Sequence, residues 1–236
     1  MTYKWLDIDL NPKVYDIISC QDIYHQIYYE SEKFSGPSLY FHQRALSTPN
    51  SSWLQKIELI YAVLASWGMH RMGPKGSKMQ AFGTFYESIN SVKTQIEMLS
   101  QLSPQDLTSS YWVMLKDVFR AIRVMSSATI LIGNSKVLAH LLPNIVAPID
   151  REYTLDFLFE KNMFQNDIDW EWQIFRKIHD EFYYRVLYCK DFDHRAEYWM
   201  RNLDQFPWDT SKLKIIDNLV IGAKRETKRS SDIIES

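Results

Sequence analysis

Apolar positions recur three, four and seven apart along most of the chain, the spacing of amphipathic helices rather than of strands. Val14, Ile17, Ile18, Tyr24, Ile27 and Tyr28 form one such stripe between Val14 and Phe34, and Ser35-Gly36-Pro37 stops it. Leu54, Ile57, Ile60, Tyr61 and Leu64 predict a helix over 52–66, capped by Ser51 or Ser52 and closed at Trp67-Gly68. The clearest run joins Met79, Phe82, Phe85, Tyr86, Ile89, Val92, Ile96 and Leu99 and predicts a helix over 78–100. Leu115, Val118, Phe119, Ile122 and Met125 mark a further helix within 111–127, although its β-branched tail at Thr129, Ile130 and Ile132 also suits a strand. Shorter helices are expected over 135–142 and 151–160. Asp169 is expected to cap a last, aromatic-rich helix over 170–188, with Trp172, Phe175, Ile178, Phe182, Val186 and Cys189 on its core side.

The pattern predicts an all-α fold of about eight helices with a central helix-turn-helix element near Gly133. Composition agrees, because 46% hydrophobic and 24% charged residues are those of an ordinary globular protein, and only seven glycines argue against a sandwich or barrel. No stretch has linker composition, so residues 1–222 read as one domain, with a two-lobed arrangement compatible with the length. Residues 223–236 read as a frayed basic and polar tail. The formal net charge of −2 gives no global field toward polyanions, so any such site must be a local patch. The start of the chain lacks the basic-then-apolar run of a signal peptide, and no segment reaches the about 18 apolar residues of a membrane span, so a cytoplasmic protein is expected. Cys20 and Cys189 have no metal or redox spacing and read as reduced thiols.

Chemistry concentrates in residues 130–154. Ile130-Leu131-Ile132-Gly133-Asn134-Ser135-Lys136 reads as the end of an apolar element, a tight turn and the start of a helix. Free amides at such a turn, the positive end of the helix dipole and Lys136 beside them would suit a phosphate, which makes Gly133, Asn134 and Ser135 candidate contacts. After Pro143, Pro148 holds the chain extended until Asp150 opens another helix.

These residues resemble the helix-hairpin-helix DNA glycosylases, in which a glycine turn leads to a helix beginning near a catalytic lysine and an apolar-to-aspartate step opens a further helix. Gly133 and Lys136 match the turn and the lysine, and Ile149-Asp150 matches the aspartate. Here the turn has one glycine rather than two and the lysine-to-aspartate connection is short. A closer likeness is to uncharacterised proteins sharing a Ser-Lys, Leu, Pro, then Pro-Ile-Asp pattern. The resemblance implies that Lys136 attacks C1′ of a flipped nucleotide, which needs a depressed pKa, while Asp150 stabilises the developing positive sugar or activates the nucleophile. Capping alone also explains Asp150, with the free amides near Tyr153 as donors.

A second basic candidate is the loop from Trp67 to Lys78, which carries Arg71, Lys75 and Lys78 among three glycines and would hold an anion together with the 133–136 turn. Asp191, Asp193, His194 and Glu197 lack the spacing of known metal motifs, so no metal or other cofactor is expected. Neither a GxSxG elbow nor a dinucleotide-binding glycine fingerprint occurs. Two functions remain: a protein binding DNA or another nucleic acid on a glycosylase-like scaffold, with binding favoured over catalysis, or a non-catalytic protein-interaction module.

Overall fold

The structure, a computed structural model, describes residues 4–32, 36–71, 79–161 and 167–234. Its α-helices are α1 (Asn11–Ser19), α2 (Gln21–Ser31), α3 (Pro37–Ser47), α4 (Trp53–Ser66), α5 (Phe82–Asn90), α6 (Lys93–Leu99), α7 (Ser109–Ala121), α8 (Leu131–Leu141), α9 (Asp156–Phe159), α10 (Ile168–Ile178), α11 (Tyr184–Leu187), α12 (Lys190–Arg201) and α13 (Lys212–Ile234). No strand occurs among the described residues, where β-pairing is limited to one bridge between Met79 and Met125. The fold is therefore all-α.

The chain forms two compact units, each drawn from separate stretches of sequence. Unit 1 comprises Met1–Lys33, Ile149–Phe164 and Gln173–Ser236, and unit 2 comprises Phe34–Pro148 and Gln165–Trp172.

In unit 1, α13 packs along α2. Ile216, Leu219 and Val220 of α13 are buried together with Ile27 and Tyr28 of α2 and Ile17 of α1. The approach is unusually close at Gly222, where a Cβ would stand 2.0 Å from the Tyr24 carbonyl oxygen. Glycine is required there for space; its φ is not positive. The stretch read from the sequence as a frayed basic and polar tail is helical as far as Ile234. Residues 223–234 continue α13 as helix, Ala223 is buried, Lys224 pairs with Asp156 at 2.6 Å, and Arg225 lies 3.7 Å from Glu32. Those partners lie far away in sequence, so no local apolar spacing announces them.

In unit 2, α3 and α4 pair, and α8 packs against both. The stripe foreseen for α4 is buried at Ile57, Ile60 and Leu64, whereas Leu54 is exposed. The run predicted as one helix over 78–100 breaks at Ser91-Val92, where Val92 leaves helical geometry with φ −119°. The hydroxyls of Ser88 and Ser91 donate to Phe85 O and Ser88 O, which offers the backbone an alternative to the helical ladder. The segment predicted as helix within 111–127 stops at Ala121. At α10 the cap is Asp167, whose Oδ1 accepts from Asp169 N at 2.9 Å and Trp170 N at 3.0 Å. Asp169 instead pairs with Lys116 and Arg120 of α7, whose charges and hydrogen bonds hold its carboxyl below the usual range.

Candidate nucleic-acid interface

Gly133 is not in a turn. It lies in the first turn of α8, buried, where a Cβ would meet Val124 Cγ1 at 2.7 Å and Met125 Cγ at 2.9 Å. Its role is close approach between α8 and the 124–125 stretch. In the sequence, a glycine kept for space is indistinguishable from one kept for positive φ.

Asn134 and Ser135 are 1% and 0% exposed, so neither side chain is offered to solvent. The Asn134 amide donates to Phe119 O at 2.7 Å and Ile122 O at 3.1 Å, satisfying carbonyls at the C-terminal end of α7. Ser135 Oγ donates to Ile132 O at 3.1 Å. The anion-binding logic of the sequence does operate at this helix start, but the anion is internal. Glu171 Oε2 accepts from Ile130 N at 2.7 Å and from Leu131 N at 2.5 Å, and Glu171 is fully buried. A carboxylate at a helix N-terminus is stabilised by free amides and the dipole together. That seat is closed to a phosphate, which corrects the expectation for Gly133, Asn134 and Ser135.

Lys136 projects from the next turn of α8, partly exposed, with its ammonium 5.8 Å from the centre of the Trp67 ring. Trp67 forms the C-cap of α4, and Gly68 beyond it takes φ +81°, a left-handed geometry that glycine adopts without strain. Behind this pair are two buried histidines that the sequence did not flag. His140 Nδ1 lies 2.8 Å from Lys136 O, and His140 Nε2 lies 3.0 Å from His42 Nδ1. A carbonyl only accepts, so His140 carries a proton on Nδ1, and its Nε2 shares a hydrogen bond with His42 Nδ1. The two residues stand 98 positions apart.

Arg71 closes a 3-10 turn, Met69–Arg71, whereas Lys75 and Lys78 lie outside the described residues. One flank of that segment meets the start of α8 and the other meets the 124–125 stretch that packs on Gly133. Met69 Cε would lie 3.6 Å from a Cβ on Gly133; on the other side, Met79 bridges to Met125, and Gln80 N donates to Val124 O at 2.9 Å.

Asp150 belongs to unit 1, whereas Lys136 belongs to unit 2. Its carboxylate accepts from Glu152 N at 2.9 Å and Tyr153 N at 3.3 Å, while its own N–H donates to Thr154 Oγ1 at 2.9 Å, a reciprocal cap. The buried Tyr183 phenol is pushed well above its usual range, by burial first and then by the charges of Asp217 and Asp150, so it stays neutral.

The described residues hold no group of three or more His, Cys, Asp or Glu placed for a metal ion, and no helix long and apolar enough to cross a membrane. Asp193 of the acidic cluster pairs with Lys212, and Glu197 pairs with Arg201 at 3.0 Å. In comparisons with known protein families, curated proteins and solved structures, nothing matches the chain.

Proposed function

We propose that the chain binds the phosphate backbone of nucleic acid through the face of unit 2 around Lys136 and Trp67, as a binding protein rather than through base excision at that lysine. The observation that carries this reading is that both described flanks of the 72–78 stretch lie against Gly133, in the helix that bears Lys136, or against the residues packed on it. Met69 reaches Gly133 in the first turn of α8, and Met79 and Gln80 pair with Met125 and Val124, the residues that exclude a Cβ at Gly133. Arg71, Lys75 and Lys78, carried in the sequence between those flanks, together with Lys136 would supply local positive charge in a chain of net charge −2, and the partly exposed Trp67 a stacking surface for a base. Glu171 supports binding without insertion of a phosphate at the α8 N-terminus, so contact falls to side-chain cations.

Fluorescence anisotropy with labelled single-stranded and duplex oligonucleotides tests this over a range of salt. Affinity should fall log-linearly with salt, and each of Lys75→Ala, Lys78→Ala and Lys136→Ala should make the slope shallower by about one. Binding without salt dependence, or no binding to any oligonucleotide, would overturn the proposal.

A further inference from the structure

Unit 1 contains a cavity of about 440 Å³ between α2 and the end of α12 with the connection that follows it, a volume within the range of small-ligand sites. Its walls are the rings of Tyr29, Trp199 and Phe206, and Asp22 and Glu30 stand at its edge. Among the described residues that line it there is no lysine or arginine. His25 forms its floor, stacked on Trp199 at 3.9 Å and 6° and edge-on to Phe206 at 4.8 Å.

Behind His25 lies a carboxylate with no contact to solvent. His25 Nε2 is 2.7 Å from Oδ2 of Asp209, which is 0% exposed, and Asp209 Oδ1 accepts from Asn218 Nδ2 at 2.8 Å. Asp209 only accepts, so the ring carries a proton on Nε2. His25 is itself 4% exposed, and its Nδ1 has no hydrogen-bond partner among the described residues. Tyr29 is held neutral, since burial and then the charge of Asp209 push its phenol far up. The nearby Lys214 does not serve as counter-charge, because its ammonium donates to Asp217 at 2.7 Å and Asn218 at 2.5 Å. Asp22 pairs with Arg195 at 2.9 Å and Glu30 with Arg229 at 3.4 Å, but both pairs are open to water and therefore weak.

Ring faces, edge carboxylates and a buried carboxylate behind the floor all favour positive charge carrying N–H donors. We infer that this cavity binds a small organic cation, a primary alkylammonium, with its chain against Tyr29 and Phe206 and its N–H groups directed to the edge carboxylates. The site is independent of the interface proposed for unit 2.

The test uses the full chain, with n-butylammonium as probe and the isosteric neutral 1-butanol and tetramethylammonium as comparisons. Binding is followed by tryptophan fluorescence and by shifts of the Trp199 indole N–H in NMR spectra. Butylammonium should give a saturable response at millimolar concentration, butanol none, and tetramethylammonium should bind about fivefold more weakly for want of N–H donors. Glu30→Gln and Phe206→Leu should each weaken butylammonium about fivefold, with circular dichroism melts confirming that both variants fold. Asp22→Asn serves as the second edge variant if Glu30→Gln unfolds. No saturable response, an equal response to butanol or to tetramethylammonium, or affinity indifferent to the folded variants would overturn the inference.

Discussion

Replacing Gly222 with alanine adds one methyl group to α13 and should damage unit 1 severely. The added Cβ would stand 2.0 Å from Tyr24 O, 2.7 Å from Tyr24 C and 3.1 Å from Tyr24 Cα, all backbone atoms of α2. No rotamer change relieves such a contact. Reaching the 3.4 Å of ordinary contact requires the two helices to part by about 1.4 Å along that line, which opens the core they share. Overpacking of this kind costs about 3 kcal/mol, at the upper end of its usual range because the backbone itself must move. Against it stands the preference of a helix interior for alanine, about 1 kcal/mol. The net loss is about 2 kcal/mol, or about 4–8 °C in melting temperature for a chain of this size. Gly83 in α5 is the control, because a Cβ there meets nothing within 4 Å, and Gly83→Ala should leave stability unchanged or slightly raised. The measurement is thermal unfolding by calorimetry and circular dichroism. An unchanged or raised melting temperature for Gly222→Ala would refute the close-approach argument.

Glu171→Gln keeps the shape but loses the charge at the start of α8, and should cost about 1–3 kcal/mol in chemical unfolding; no loss would mean that the amides of Ile130 and Leu131 find other acceptors. Asp150→Ala should cost about 1 kcal/mol while Asp150→Asn largely restores stability, since either oxygen caps a helix. Base release from a lesion-bearing oligonucleotide by the unmodified protein, lost in Asp150→Asn, would overturn the binding-only reading of that residue. Burial raises the Asp180 carboxyl above its usual pKa, outweighing Arg176, so the folded state holds that proton more tightly than the unfolded state does. Stability from this group is present at low pH and lost as pH rises through the raised pKa. Asp180→Asn should therefore raise the melting temperature at neutral pH relative to the parent and lose that advantage in acid; a lower melting temperature at neutral pH would instead give the Arg176 pair the larger role.

The helices legible in the sequence are those whose apolar stripe faces a core along its length. Of the run predicted over 170–188, Trp172, Phe175, Ile178, Phe182 and Val186 are buried, even though the backbone passes through a π-helical turn at His179–Tyr183. The break at Val92 is hidden because Ile89, Val92 and Ile96 are buried on both sides of it and the spacing survives. The candidate site was legible in part. Charge and turn composition singled out Lys136 and the Arg71-bearing segment, and the place of Asp150 at a helix start is the cap the structure shows. Gly133 was misread because the atoms that exclude its Cβ come from Val124 and Met125, which no local rule connects to it. Glu171 lies 40 or 41 positions from the amides it binds, and Asp209 lies 184 positions from His25, so both pairings exist only after the chain has folded.

The discontinuity of the two units sets the order in which this chain can fold during synthesis. Helices α1 and α2 leave the ribosome early, but α13, along which α2 packs, lies at Lys212–Ile234. At about 5–20 residues per second, Ile17, Ile27 and Tyr28 wait about 10–40 s for the helix that covers them. Unit 2 waits less, yet α8 cannot receive its carboxylate until Glu171 has been made. Unit 1 therefore cannot complete its core before α13 is made, and α1 and α2 stay open to aggregation or to chaperone capture for that time. A stop codon just before α13 should then yield an aggregating product rather than a smaller folded one.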